Sequence, residues 1–499
     1  MADTLSNALL LAQSATTSVK KRALGLIAES HANIARLDAQ IKELERLLAR
    51  ELGIIAALHL ITAPVRTLPS ELLAEIFQLA LDPGENHFGW AGPSIKDVLV
   101  LSQVCAHWRK AALATPQLWA RHLPIFSRKR TGDALVSATK VFLERSAPLP
   151  VPVSLSLGYD VGNINLAPLI DTLFAVAHRW QALTITTKSL AALAQIPAGA
   201  LTALETLDLR SITAGGEAEL QPKVNIFMLT PRLRGVTLWH VKNADSFHMP
   251  WSQLTNLALA DESPRVCLEI LVRCTNIISA TLHTAGWPDS VLPVEAGTVT
   301  LAQLKSLEIH ISNTSSDEHF TPFFQRLNLP SLTSLKMYGE YHSGIITWSA
   351  TAFSIFQMRS PHIEQLEIDH CALTSEDLQA VLLRTPLLTQ LEVYNCSNCI
   401  DDAFLEALRY SESDLVHLAS MLEVLWLSSS RCDFEESSLK GMIDSRWWTD
   451  VERLAMSSPP AIARLKSVKY TSSRKFSKKF EKKVQGYRAA GLDISIVAS

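Results

Sequence analysis

Cys396 and Cys399, in the stretch CSNC, have the spacing of a redox dithiol or of half a zinc site. A zinc site needs a second ligand pair, and no other pair in the chain has matching spacing. The two thiols follow directly on the apolar pattern LTQLEV. A turn with small, half-buried residues is therefore the competing reading, and the preferred one. His107 stands beside Trp108, but no acid or nucleophile is tied to it by a motif, which favours a structural role. Cys267 and Cys274 fall on one expected helix and Cys371 just after an expected strand. Thiols in such places behave as small apolar side chains. The sequence contains no G-x-G-x-x-G, Walker loop, H-E-x-x-H or G-x-S-x-G. The chain is therefore expected to be non-catalytic, with no cofactor and no metal.

The bulk properties bound what such a chain can be. At 499 residues it is too long for one small core. Hydrophobic content of 47% with 19% charged residues describes a folded protein, not a disordered one. The net charge of −3 demands neither nucleic acid nor an anionic membrane as partner. Seven cysteines, an odd number spread over a long chain, read as reduced thiols and a cytoplasmic or nuclear location. The longest apolar run, LGIIAALHLI from Leu52, is far short of the roughly 20 residues of a membrane helix. A basic triplet, Lys20 to Arg22, is all that speaks for a transit peptide. NTS at Asn313 matters only after secretion. One strong charge run, Lys466 to Arg488, fits either a patch for phosphate, nucleic acid or an import receptor, or a solvated helix face. The helical spacing of Phe476, Phe480, Val484 and Tyr487 favours the face.

The elements follow from apolar spacing. Ile27, Ile34, Ile41 and Leu48 recur every seven residues, and Leu37 and Leu44 fall three places after two of them. This is a short heptad seam. It predicts either a helix packed on the next domain or a self-associating coiled coil, with further helix to about Leu60. From Leu68 to Trp119 the pattern predicts two or three helices. The first starts at Pro69, where a missing N–H costs nothing. The second runs through SIKDVLVLSQVCAHWRKAALA with Ser94 as N-cap, and a short last one has Thr115 as its cap with Pro116 after it. The gap between the first two, DPGENHFGWAGPSIKD, is long.

After a basic loop, SRKR, the alternation of Val151, Val153, Leu155 and Leu157 predicts a strand. One unit then recurs to the end: apolar, two variable, apolar, one variable, apolar. It begins at Leu204, Leu233, Leu254, Ile277, Leu304, Leu332, Ile363, Leu388 and Leu422, with degenerate copies at Leu465 and Leu492. Helical pieces lie between, so each repeat reads as strand, loop, helix. This is the leucine-rich pattern, at intervals of about 21 to about 43 residues. No unit can bury its own apolar face, so neighbours must stack. The fold class expected is an irregular α/β solenoid behind an N-terminal helical segment. The boundaries are 1–62 for the N-terminal helices, 63–125 for the small helical module and 126–499 for the repeats. The single variable positions Asp208, Thr237, Ala258, Glu308, Lys336, Glu367, Glu392 and Trp426 should point out from the strands and form the nearest thing to a recognition stripe.

The helical module carries a family resemblance. Leu68, Pro69, Glu71, Leu72, Leu73, Ile76 and Phe77, then Val104, Cys105 and Trp108, then Leu118 and Trp119 stand where an F-box has Leu-Pro, an acid, two aliphatics and Ile-Phe, then Val-Cys with a following Trp, then Leu-Trp. With the heptad helix and the leucine-rich tail, the chain resembles the large group of fungal F-box-like proteins. The resemblance implies the substrate receptor of an SCF-type E3 ubiquitin ligase. Leu68, Pro69, Leu72, Leu73, Ile76, Phe77, Val104, Cys105, Trp108, Leu118 and Trp119 would form the module that binds the Skp adaptor, which attaches to a cullin scaffold. The repeats would hold a substrate protein, and the chemistry would belong to other subunits. A leucine-rich interaction scaffold outside such a complex is the alternative.

Overall fold

The computed structural model describes residues 17–62, 64–66, 68–81, 95–121, 123–126, 132–156, 167–187, 196–197, 199–211, 226–239, 248–260, 263–285, 287, 297–312, 320–339, 346–396, 399–412, 417–429, 434–455, 460–472 and 475–498. The long gap after Pro83, Ser94, the SRKR loop and Asn313 lie outside them. The chain forms two compact units, residues 1–81 with 100–115 and residues 82–99 with 116–499.

In the first unit one continuous helix, α1 (Thr17–Thr62), carries the heptad seam and extends it through Ile55 and Leu58. Gly53 does not break it, and it ends where Pro64 opens a 3-10 turn, Pro64–Arg66. Helix α2 (Ser70–Ala80) starts after Pro69, whose carbonyl accepts the Leu73 N–H at 3.1 Å. The expected second helix is two, α3 (Ile95–Gln103), of which residues 100–103 fall in this unit, and α4 (Ala106–Leu113). The break comes at Cys105, which is fully extended (φ −157°, ψ 170°), and whose Sγ accepts the Trp108 N–H at 3.4 Å. A thiol thus does the capping usually given to Ser or Asp. Helix α2 packs on α4, with the Phe77 and Trp108 rings 4.9 Å apart.

From Pro116 on, the chain belongs to the second unit and begins there with α5 (Pro116–Trp119). The Thr115 hydroxyl, expected to cap it, donates instead to the Ala111 carbonyl at 2.8 Å. Strand β1 (Leu123–Phe126), α6 (Gly132–Arg145), β2 (Val151–Ser156), α7 (Ala167–Phe174) and β3 (Trp180–Thr187) lead into the repeats. These continue as β4 (Thr206–Ser211), β5 (Gly235–Trp239), β6 (Asn256–Ala260), α8 (Pro264–Arg273), β7 (Ser279–Thr284), β8 (Val299–Thr300), β9 (Ser306–Ile311), α9 (Thr321–Arg326), β10 (Leu327–Asn328) and β11 (Ser334–Gly339). After them come α10 (Ala350–Arg359), β12 (Gln365–Asp369), α11 (Ser375–Leu383), β13 (Gln390–Tyr394), α12 (Asp402–Leu408), β14 (Val424–Ser429), α13 (Glu436–Arg446), α14 (Asp450–Ala455), β15 (Ser467–Ser472), α15 (Lys478–Ala489) and β16 (Asp493–Ala498). Side-chain caps start several of these helices: Ser263, Ser349, Asp401 and Ser477 each accept a helix N–H, and Thr374 closes a capping box with Asp377.

Among the described residues, fourteen strands form one parallel sheet whose order follows the chain, while β8 and β10 pair with each other. Every repeat becomes a strand, and each leading leucine or isoleucine, from Leu204 to Leu492, is almost fully buried. Such burial is worth about 1.5–3 kcal/mol per side chain. The residue after it joins neighbouring repeats: the Arg234 N–H donates to Glu205, Thr255 to Arg234, Ile278 to Thr255 and Lys305 to Ile278, each at 2.8 Å. Short 3-10 turns, Ile226–Leu229 and Trp251–Gln253, precede β5 and β6.

Candidate functional site

Two surfaces are candidates. The first is α2. Its buried residues are Leu73 and Phe77, one turn apart on the face toward α4. Leu72 (47% exposed), Ile76 (45%) and Leu79 line a neighbouring stripe, about a third of a turn round the helix, and Pro69 is exposed beside them. Val104 is exposed as well, while Leu68, Cys105 and Trp108 are half-buried. The His107 imidazole lies 3.4 Å from the Leu68 carbonyl, fixing the start of the helix to α4. The expected adaptor set therefore divides. Leu72, Ile76, Pro69 and Val104 are surface residues, whereas Leu73, Phe77, Leu118 and Trp119 are core. Trp119, 1% exposed, packs its ring 6.4 Å from Phe142 and lies under the Arg145 guanidinium at 4.5 Å, so it builds the second unit and offers no outward face.

The second surface is the face of the sheet opposite the buried leucines. Strand residues alternate, and register does the rest. Asp208, Thr237, Ala258, Glu308, Lys336, Glu367, Glu392 and Trp426 fall in one line across neighbouring strands, with Thr281 between Ala258 and Glu308. They interact along and across that line. Lys336 Nζ is 3.0 Å from Glu367, and the Lys469 ammonium sits 3.7 Å from the Trp426 ring. Glu392 departs from expectation. It is only 6% exposed, because Gln390 and the Tyr394 hydroxyl both donate to it and cover it.

A second line, two residues on, lies just outside the repeat pattern. Arg210, Trp239, His283, His310, Tyr338, Asp369 and Tyr394 occupy it, with Ala260 between Trp239 and His283. The Arg210 guanidinium lies 5.8 Å from the Trp239 ring, Trp239 lies 4.8 Å from His283, and His283, His310 and Tyr338 stack at 4.0 and 4.3 Å. The signal was present, since these are the residues just past the last apolar position of each repeat. Glu308 bonds His310 at 2.5 Å, and that bond holds its carboxyl below the usual range. Burial pulls Lys336 down, but the Glu367 bond and the charges of Glu367, Glu308 and Glu392 outweigh it, and its pKa ends up raised. Burial, then hydrogen bonds to Glu367 and Glu392, push the Tyr338 and Tyr394 phenols up. The face is a mosaic of flat rings, carboxylates and the ammonium groups of Lys336 and Lys469.

Five of the described thiols, Cys267, Cys274, Cys371, Cys396 and Cys399, are buried. Cys371, Cys396 and Cys399 are buried together, with Cys396 Sγ accepting the Cys371 N–H at 3.4 Å and Cys399 Sγ donating to the Cys396 carbonyl at 3.5 Å. Burial pushes Cys274 up to about 12 and raises Cys371; the Cys399 bond, then burial, raise Cys396. Such thiols stay protonated and unreactive. Among the described residues no group of three His, Cys, Asp or Glu could hold a metal ion, and no helix is long and apolar enough to cross a membrane. The basic run becomes β15 and α15. Phe480, Val484 and Tyr487 turn inward, Lys483 lies 3.8 Å from Asp444, and Lys478, Lys479 and Lys482 are exposed.

No curated protein matches the sequence. Among solved structures, the one described as "Crystal structure of TLR13-ssRNA13 complex" is similar at 14% identity and a TM-score of 0.30, over 65% of this chain and 41% of that one. This chain thus spans well under half the length of that protein. Residues 65–124 match the family model described as F-box-like, and the helical module around α2 and α4 is accordingly an F-box-like domain.

Proposed function

We propose that this protein is a substrate-recognition subunit of an SCF-type E3 ubiquitin ligase. The F-box-like helices bind a Skp adaptor and through it a cullin scaffold, and the parallel sheet, read as a leucine-rich-repeat domain, binds the substrate protein. The observation that carries this reading is the divided helix α2: inside the F-box-like segment, Leu73 and Phe77 hold the module together while Leu72, Ile76 and Leu79 stay uncovered. An apolar face kept exposed on a small helical module fits a partner that covers it. The chain itself does no chemistry. It works in the cytoplasm or nucleus by holding substrate lysines near a conjugating enzyme, which raises their effective concentration.

The test is co-purification with the Skp adaptor. The native chain should bring it down, and Leu72→Asp with Ile76→Asp should abolish capture while the thermal transition of the sheet stays in place. A chain that never captures the adaptor is a leucine-rich scaffold instead. The stripe of Asp208, Thr237, Glu308, Lys336, Glu367, Glu392 and Trp426, with the ring line beside it, is the surface on which substrate contact is sought.

A further inference from the structure

Helix α1, 46 residues long, exposes every described side chain from Lys20 to His59. Its large apolar residues are not scattered. Ile27, Ile34, Ile41, Leu48 and Ile55 recur every seven residues, with Leu37, Leu44 and Leu58 three places after three of them, and all eight are between 49% and 65% exposed. In heptad terms the first set is a and the second d, completed by Ser30 and Glu51. Branched residues at a with leucine at d form the core of parallel two-stranded coils. From Ile27 to Leu58 the seam runs about 48 Å along the helix, beyond the three or four heptads that such a coil needs.

The flanking positions decide which way a partner helix runs. Asn33, Gln40, Leu47 and Ile54 stand at g, and Asp38, Glu45, Leu52 and His59 at e. In a parallel, in-register pair each g residue meets the e residue five places on in the other copy. Asn33 then meets Asp38, Gln40 meets Glu45 and Leu47 meets Leu52, three pairs matched in polarity through the middle of the seam, while Leu26 meets His31 and Ile54 meets His59 at its two ends. Antiparallel chains in full overlap would set Asp38 against Glu45 twice. They would also lay Leu47 and Ile54 beside Gln40 and Asn33. Like charges face to face and buried polar flanks both count against that arrangement.

We propose that α1 pairs with α1 of a second copy of this chain as a parallel, in-register, two-stranded coiled coil, making the protein a homodimer. Glu51 is the one charged layer of its core, where two carboxylates meet. The inference is independent of the adaptor reading. It gives each assembly two F-box-like domains and two sheets, so a partner that carries its recognition element twice is held by both.

The experiment is light scattering of the full-length chain at tens of micromolar. The native protein should have twice the mass of one chain. Ile34→Lys with Ile41→Lys should give the mass of one chain, with the sheet's thermal transition unmoved. Glu51→Leu should lower the dimer dissociation constant at least tenfold. Ser30→Cys, oxidised, should yield a disulfide-linked dimer on a non-reducing gel that the native chain does not. A native chain that is monomeric, or an assembly of three or more, overturns the proposal. So does a dimer that survives the double lysine variant, or a Glu51→Leu dimer no tighter than the native one. Failure of Ser30→Cys to cross-link overturns the parallel register.

Discussion

The imidazole rings of His283 and His310 lie face to face on neighbouring strands, centroids 4.0 Å apart and planes 12° apart. Tyr338 continues the stack beyond His310 at 4.3 Å, and Glu308, two residues before His310 on β9, bonds its Nε2 at 2.5 Å. Stacked rings lose little freedom when something settles on them, so this part of the sheet is already ordered for contact.

The Glu308 bond has a pH signature. Its carboxyl is held below the ordinary value by the His310 bond, so the unfolded chain takes up that proton more readily than the folded one. The stabilisation is full above the ordinary carboxylate range and is lost as pH falls through the lowered value. Being partly exposed, the pair should contribute about 0.5–1 kcal/mol. Glu308→Gln should flatten that part of the acid limb in urea unfolding between pH 6 and pH 3, taken as about those values for ordinary carboxylates. Parallel pH curves for the two proteins would refute the assignment.

Gly339 ends β11 where the chain passes close to two neighbours. A Cβ there would stand 2.9 Å from His370 Cβ and 2.9 Å from Ile346 Cδ1. Ile346 Cδ1 is a side-chain end and can turn away, but His370 Cβ is fixed to its backbone and cannot step aside. Gly339→Ala should destabilise the sheet by about 1–3 kcal/mol. A melting temperature equal to the native one would show that the strand end has slack.

Most of the sheet was legible because the repeat spacing states directly what is buried: two apolar strand residues and the leucine that turns into them. Strand β3 escaped because Trp180 stands where the leucine would be, followed by Leu183 and Ile185 at the same spacing, and all three are buried. The ring line escaped because it begins one residue past the last apolar position, where the repeat pattern stops constraining the chain. In the helical module the composition around Cys105 reads as one helix. Only the thiol cap and the extended backbone reveal two. The division of the adaptor set was also out of reach, since Leu72 and Leu73 are chemically alike and differ only in the side of the helix they occupy.

That division predicts two different phenotypes within one helix. Phe77→Ala removes a buried ring and the partner of Trp108, which should cost about 3–5 kcal/mol. Leu72→Ala trims a half-exposed side chain and should cost less than about 1 kcal/mol. Amide hydrogen exchange across α2 and α4 separates them, with protection lost in the first variant and kept in the second. Equal loss in both would mean that Leu72 is structural and that the exposed face of α2 is not free for a partner.

Arg446, at the end of α13, is 1% exposed and has no carboxylate beside it among the contacts of its guanidinium. Its three nitrogens donate instead to the carbonyls of Leu408, Leu418 and Ala419, the last at 2.9 Å. Those carbonyls belong to the end of α12 and to the turn before β14, which the residue ties to its own helix. Each carbonyl left without a donor costs about 1–3 kcal/mol. Arg446→Met fills the space but orphans all three, and Arg446→Lys supplies a single ammonium that cannot span the fork. Both should lose at least about 3 kcal/mol in urea unfolding, with lysine rescuing little. A methionine variant within about 1 kcal/mol of native would show that the turn finds other donors and that the buried guanidinium is not what fixes it.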